Sequence, residues 1–261
     1  MTGGYETILL TTDPKGVAHL VLNRPEKHNA INAAMIRELT DVARVLATDP
    51  AIRAVVLSSS GNSFCAGGDL SWMREQFDAT RTARIAEATN LGAMLRLIDE
   101  LPKLVIAVVQ GPTYGGGVGL VCVCDIVLAA REATFALTET KLGLIPATIA
   151  PYLVSRIGHA NARRFALNAA PLGAEQAHAI GLVSEIHPLH ELSPAMERQL
   201  ALALNAAPGA LAAAKQLLRN VAAGTISQSQ TVDALADRWE SEEARHGIEG
   251  FFAKQRPPWA P

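Results

Sequence analysis

The sequence predicts an α/β fold that gives way to a helical tail. Three observations predict it. Short apolar, β-prone runs alternate with helix-forming stretches through the first three quarters of the chain. A strand, loop, glycine run and helix recur in order, first as AVVLS leading to FCAGGDL and again as LVIAVV leading to GPTYGGG. From Ser193 the character changes to Ala-, Leu- and Gln-rich helical sequence with no strand. The chain has 261 residues, 49% hydrophobic and 18% charged, enough for a sizeable core. The division is placed between an α/β core over 1–192 and a helical region over 193–261.

The elements follow in order. Ile8–Thr11 and Val17–Asn23 are β-prone runs joined by Asp13-Pro14-Lys15-Gly16, which is turn chemistry, so a hairpin is expected. Between Asn29 and Ala47, apolar Ile31, Met35, Leu39, Val42 and Leu46 recur three or four apart, which predicts an amphipathic helix. Ala54–Ser58 reads as a buried strand, with a helix starting at Asp69. Leu104–Val109 is another strand, followed by a Gly-Pro turn and a helix from about Val118. Ile126–Ala129 and Thr134–Ala136 are short strands, and Ile145-Pro146 precedes a further helix. The tail helices run to Arg245, with breaks near Pro208-Gly209 and Ala223-Gly224.

Composition excludes several functions. Net charge is −2 with no basic stripe, so nucleic acid is not an expected partner. The weakly polar run from Gly115 to Ala130 is interrupted by Asp125 and too short to span a bilayer, so no membrane is expected. Three cysteines, Cys65, Cys122 and Cys124, without a signal-peptide pattern point to a reducing cytoplasm. Cys122 and Cys124 have no second cysteine pair and the histidines lack ligand spacing, so no metal is expected. The glycines miss G-x-G-x-x-G because its last position is Leu120. The Walker A, G-x-S-x-G and H-E-x-x-H patterns are also missing.

The glycine runs Gly67-Gly68 and Gly115-Gly116-Gly117 each lie between a strand and a helix. Such a junction exposes the helix's first unpaired N–H groups, and glycine lets a ligand approach closely. If the two turns face each other, two amides converge on one point and form an oxyanion hole. Spacing alone leaves open whether they meet or are merely tight packing turns.

Together the motifs resemble the crotonase (enoyl-CoA hydratase/isomerase) superfamily along essentially the whole chain. They are NRPEKHNAIN (23–32), FCAGGDL (64–70), GPTYGGG (111–117), CDIVLAA (124–130), FALTETKLGLIP (135–146) and GLVSEI (181–186). The resemblance implies a spiral of β-β-α turns with a C-terminal helical region used in trimer, or dimer-of-trimers, assembly. It implies acyl-CoA thioester ligands, no cofactor beyond coenzyme A itself, and an enolate-like intermediate held by the N–H groups of Gly68 and Gly116. It places Ala66, Asp69 and Leu70 on the CoA side of the first turn, with Lys27 and Ala30 near the nucleotide. Phe251 and Lys254 match a segment that reaches CoA in a neighbouring subunit.

The chain departs from the pattern at one position. Typical hydratases carry two glutamates, one in G-G-G-x-E and one in F-x-x-x-E. The second is Glu139, the expected acid/base at carbon 2; the first position is Gly119, so the second-acid position is vacant. A single glutamate suits a Δ3,Δ2-enoyl-CoA isomerase, and a catalytically silent acyl-CoA binder is a further alternative. Hydration needs help with water from Glu139 alone, from Thr138 or Tyr114, or from a carboxylate on the substrate. The stretch LTETKLGLIPATIAPY with GVGLV is similar to the branch of methylglutaconyl-CoA and isohexenylglutaconyl-CoA hydratases, which implies branched substrates carrying an extra carboxylate. Of the remaining polar residues, Asp125 reads as a buried hydrogen-bonding anchor at a strand start in preference to a proton relay, Asp69 as a helix cap, and Arg163-Arg164 as a solvated or interfacial face. Trp72, Met73 and Phe77 read as acyl-pocket lining or as core.

Overall fold

The computed structural model describes residues 4–260; the outer limits of the two predicted regions, residues 1 and 261, lie outside these. Strands β1 (Ile8–Thr12) and β2 (Val17–Leu22) form the expected antiparallel hairpin. The Asp13 carboxylate accepts from the N–H groups of Lys15 and Val17 and closes the turn.

Helix α1 begins at Ala33 and runs to Thr48, not from Asn29. His28 and Asn29 adopt positive φ, 50° and 55°, so no helix passes through them. Asn29 is buried and its side chain binds Arg24 N, Ser60 O and Ser63 O. Asn32 then caps α1 by accepting from Met35 N at 2.9 Å.

Strand β3 (Ala54–Ser59) is followed by two helices, α2 (Leu70–Asp78) and α3 (Arg81–Asp99), separated where Thr80 caps the second. Next come β4 (Leu104–Val109), β5 (Thr113–Tyr114) and α4 (Gly116–Cys122), which starts two residues before the expected Val118. Strands β6 (Ile126–Ala130) and β7 (Thr134–Ala136) precede α5 (Ala150–Asn168), which is interrupted at Gly158. Short β8 (Leu172–Gly173), α6 (Ala174–Ala179) and β9 (Glu185–His187) complete the spiral. The tail comprises α7 (Leu192–Leu204), α8 (Pro208–Ala222), α9 (Gln228–Trp239) and α10 (Glu242–Ala253). The breaks expected near Pro208-Gly209 and Ala223-Gly224 separate α7 from α8 and α8 from α9, with Pro208 at the first position of α8, as suits a residue with no N–H to donate.

The main sheet has the order β1-β2-β3-β4-β6-β9, parallel from β2 onwards. A small sheet joins β5, β7 and β8. Alternation along each parallel strand divides the core. Val55, Leu57, Val105, Ala107, Val127 and Ala129 face one cluster with α1 and α3. Ala54, Val56, Ile106, Leu128 and Ala130 face another, covered by Leu192, Ala195, Met196, Leu200 and Leu204 of α7. Both sheet faces are buried, which is why these strands are continuous apolar runs. Helix α7 therefore packs with the core although it lies beyond residue 192.

None of the described residues of α8, α9 or α10 is buried. Helix α8 is tied down by ions. Lys215 Nζ lies 2.8 Å from Asp125 Oδ2, and Arg219 binds Asp99 and Glu100. Asp125 is an anchor as the sequence suggests, since its carboxylate also accepts from Val105 N and joins the starts of β4 and β6, but it is exposed and not buried, because it sits at the end of the sheet where Lys215 reaches it.

Candidate active site

The two glycine turns meet. Tyr114 N donates to Cys65 O at 2.8 Å, and Phe64 N and Cys65 N both donate to Pro112 O. Only glycine tolerates this approach. A methyl group on Gly117 would lie 2.7 Å from Cys65 Cβ, and one on Gly67 3.2 Å from the Tyr114 carbonyl oxygen. Gly67 and Gly115 also hold φ of 94° and 49°.

Two amides are left free where the turns meet. Gly68 forms an isolated parallel bridge with Ile31, in which Ile31 N donates to Gly67 O and Asp69 N to Ile31 O. The neighbours of Gly68 make those bonds, so its own N–H points away from Ile31. Gly116 is the first residue of α4, where an N–H has no intrahelical acceptor. Both residues are half-buried. A methyl on Gly116 would lie 2.8 Å from Ile31 Cδ1, so Ile31 sits against both turns.

Glu139 stands at the start of the 3-10 turn Glu139–Leu142, shortly after β7. Its Oε1 lies 3.4 Å from where a Cβ on Gly115 would be. Its Oε2 is buried and has no hydrogen-bond partner. Burial pushes the carboxyl above its ordinary pKa, and the backbone N–H groups of Glu139 and Thr138 offset this only in part. A carboxyl held beside the second glycine turn, partly desolvated and with one oxygen unspent, is suited to exchange a proton with a bound ligand. Tyr114 is less available, because its hydroxyl pairs with Thr134 Oγ1 at 3.3 Å. Gly119 lies inside α4, buried against Ile149 and Leu95.

The loop 23–32 is locked onto the first turn. Arg24 Nη1 donates to Ala30 O at 2.7 Å and Nη2 to Asp69 Oδ2 at 2.9 Å. Asp69 Oδ1 meanwhile accepts from Ser71 N and Trp72 N and caps α2. Burial pushes the Asp69 carboxyl up, but the Arg24 guanidinium and the two amides outweigh it and hold it below the ordinary carboxylate range. Asp69 thus has both carboxylate oxygens engaged, and its backbone N–H and C=O are bonded to Ile31 O and Met73 N. Lys27 and Ala66 are exposed beside it, Ala66 N donating to His28 O, and Leu70 is 82% exposed. Trp72 packs partly on the core, Met73 touches the space above Gly68, and Phe77 projects outward. Phe251 and Lys254 are exposed at the end of α10, with Phe251 edge-on to Phe252. Arg163 and Arg164 are exposed, as expected.

Sequence reasoning missed Arg24, Asn29, Ile31 and Ile149. The first three lie inside the NRPEKHNAIN stretch, whose polar residues in a turn were the available signal. The three cysteines are buried and free, and no cluster of metal-ligating side chains occurs among the described residues. No helix among them is long and apolar enough to cross a membrane.

Comparison with known proteins finds relatives along the whole described fold. Residues 12–261 match the family described as enoyl-CoA hydratase/isomerase. A 2,3-dehydroadipyl-CoA hydratase of Escherichia coli K12 is 33% identical over 256 residues, covering 95% of this chain and 97% of that protein. A 1,2-epoxyphenylacetyl-CoA isomerase of the same strain is also 33% identical, with the same coverage. The crystal structure of an enoyl-CoA hydratase from Shewanella pealeana superposes with a TM-score of 0.94 at 34% identity, covering 98% of this chain and 97% of that one.

Proposed function

The chain belongs to the enoyl-CoA hydratase/isomerase family, and from that premise we propose that it adds water across the α,β double bond of an acyl-CoA thioester of branched glutaconyl type. The observation that carries this reading is half-buried Glu139 beside Gly115, its Oε2 buried and unpartnered. Gly68 and Gly116 N–H would hold the thioester oxygen as it gains charge. Water oxygen bonds carbon 3, the π pair moves to carbon 2, and Glu139 in its acid form supplies the carbon-2 proton. The attacking water gives one proton to the carboxylate carried by the substrate and keeps the other as the product hydroxyl, and the released proton returns to Glu139 through solvent. Glu139 enters this cycle protonated, which its raised pKa favours.

Support for a substrate-borne carboxylate is the glycine at 119 and the pairing of Tyr114 with Thr134. A relative whose name specifies an unsaturated dicarboxylic thioester agrees with it. A second reading, double-bond isomerisation, is favoured by the single acid, Glu139, with glycine at 119. No cofactor is required beyond the coenzyme A of the substrate. Exposed Val232, Leu235, Trp239 and Phe252 on α9 and α10 support assembly as a homotrimer or dimer of trimers, with Phe251 and Lys254 presented to a neighbour. The cytoplasm is the proposed compartment.

A panel of thioesters tests the reading: methylglutaconyl-CoA, a straight-chain 2-enoyl-CoA and a 3-enoyl-CoA, scored by product mass and double-bond position. Hydration of the first, lost in Glu139→Gln by ~10²–10⁴-fold with CoA binding retained, is the expected result. A straight-chain substrate hydrated as fast as methylglutaconyl-CoA defeats the substrate-assisted step. A mere shift of the double bond establishes the isomerase, and no turnover at all establishes a silent binder.

A further inference from the structure

Gly119 is glycine for want of space. It lies within α4, its N–H donates to Gly115 O, and it is not among the residues with positive φ. Conformational freedom therefore does not explain it. A methyl group there would lie 2.4 Å from Ile149 Cγ2, 3.3 Å from Ile149 Cβ and 3.5 Å from Leu95 Cδ1. Unbonded carbons settle at ~3.5–4.0 Å, so the first distance is deep overlap. Ile149 is 2% exposed and packs in one cluster with Leu95, Val118 and Leu120. The place from which a second acid would project is filled with hydrocarbon.

We infer that Ile149, seated over Gly119, is the specificity-determining residue that makes hydration depend on a carboxylate carried by the substrate. The inference rests on the hydratase reading above. Gly115, which caps the start of α4, faces the Glu139 carboxylate, and Gly119, one turn on within α4, faces Ile149. An apolar wall offers water no hydrogen bond, so the attacking water is not held from this side. With the Tyr114 hydroxyl turned to Thr134, the protein presents Glu139 as its acid/base, and Glu139 supplies the carbon-2 proton. A substrate with its own carboxylate takes up the one proton that the attacking water gives up. One without it asks Glu139 to do both jobs and reacts slowly. Removing the branched side chain opens the wall for a protein carboxylate at 119.

The test has a packing arm and a specificity arm. Gly119→Ala alone should lower Tm by about 5 °C, as overpacking of a filled core does, and adding Ile149→Ala should recover most of that loss. In the specificity arm, kcat/KM is measured for methylglutaconyl-CoA and for a straight-chain 2-enoyl-CoA. The double variant Gly119→Glu/Ile149→Ala should lower the preference for the dicarboxylic thioester by about tenfold or more, mainly through faster straight-chain hydration. The inference is overturned if Gly119→Ala melts with the wild type, or if the folded double variant keeps the wild-type preference. Failure of the underlying hydratase reading shows differently, as a wild type that hydrates neither thioester.

Discussion

Replacing Asp69 separates two jobs that one carboxylate performs. Its Oδ1 caps α2 and its Oδ2 meets Arg24 at 2.9 Å. The substitution Asp69→Asn keeps the cap oxygen but turns an amide N–H₂ towards the guanidinium. The side chains of Arg24 and Asp69 are 15% and 9% exposed, so this is a largely buried pair. Breaking such a pair from one side costs ~3–5 kcal/mol. Arg24 retains its bond to Ala30 O, which puts the cost for Asp69→Asn near the lower end, about 3 kcal/mol. Asp69→Ala also loses the cap, for a total of about 4 kcal/mol. At ~2–4 °C per kcal/mol for a chain of this size, Tm should fall by roughly 10 °C in either variant, slightly more for Ala. Thermal unfolding of Asp69→Asn, Arg24→Met and the double variant isolates the pair through a double-mutant cycle. The sign with pH follows from the lowered Asp69 carboxyl. Its stabilisation is complete above the ordinary carboxylate range and is lost as pH falls through its folded value, so the gap between wild type and Asp69→Asn should narrow in acid. A loss in Asp69→Asn no larger than that of an exposed ion pair, or independent of Arg24, refutes the locked loop.

Other consequences are measurable. Glu139 has a raised pKa when folded, so the native state binds more protons than the unfolded chain between the two values. The stability of the wild type relative to Glu139→Gln should therefore decline as pH rises through that window, read by urea unfolding across pH; a pH-independent difference would show that the carboxyl is solvated. Cys65, Cys122 and Cys124 are buried with thiols pushed up to about 12. None should react with iodoacetamide at neutral pH until the chain unfolds, and rapid labelling of the native protein, read by mass spectrometry, contradicts this.

The main strands were legible because each is buried on both faces and β-branched, as in Val105, Ile106, Val108 and Val109. Helix α1 was misjudged at its start because Ile31 continues the apolar spacing, although it lies extended against Gly68. The glycine turns were visible as turns. Their meeting depends on pairing between Cys65 and Thr113, which no local pattern announces. Glu139 was found through a motif, yet the unpartnered oxygen that makes it an acid depends on burial in the folded chain. Ile149 was invisible for a similar reason. It reads as one more apolar residue, and only the fold places its Cγ2 over Gly119.

The central claim is that Glu139 carries the proton at carbon 2. Hydration of methylglutaconyl-CoA in D₂O, followed by mass spectrometry and NMR of the product, tests it directly. The account predicts one deuterium at carbon 2 from the wild type, in a single stereochemical position, and almost none from Glu139→Gln over the same time. Deuterium entering carbon 2 at an undiminished rate in Glu139→Gln would contradict it.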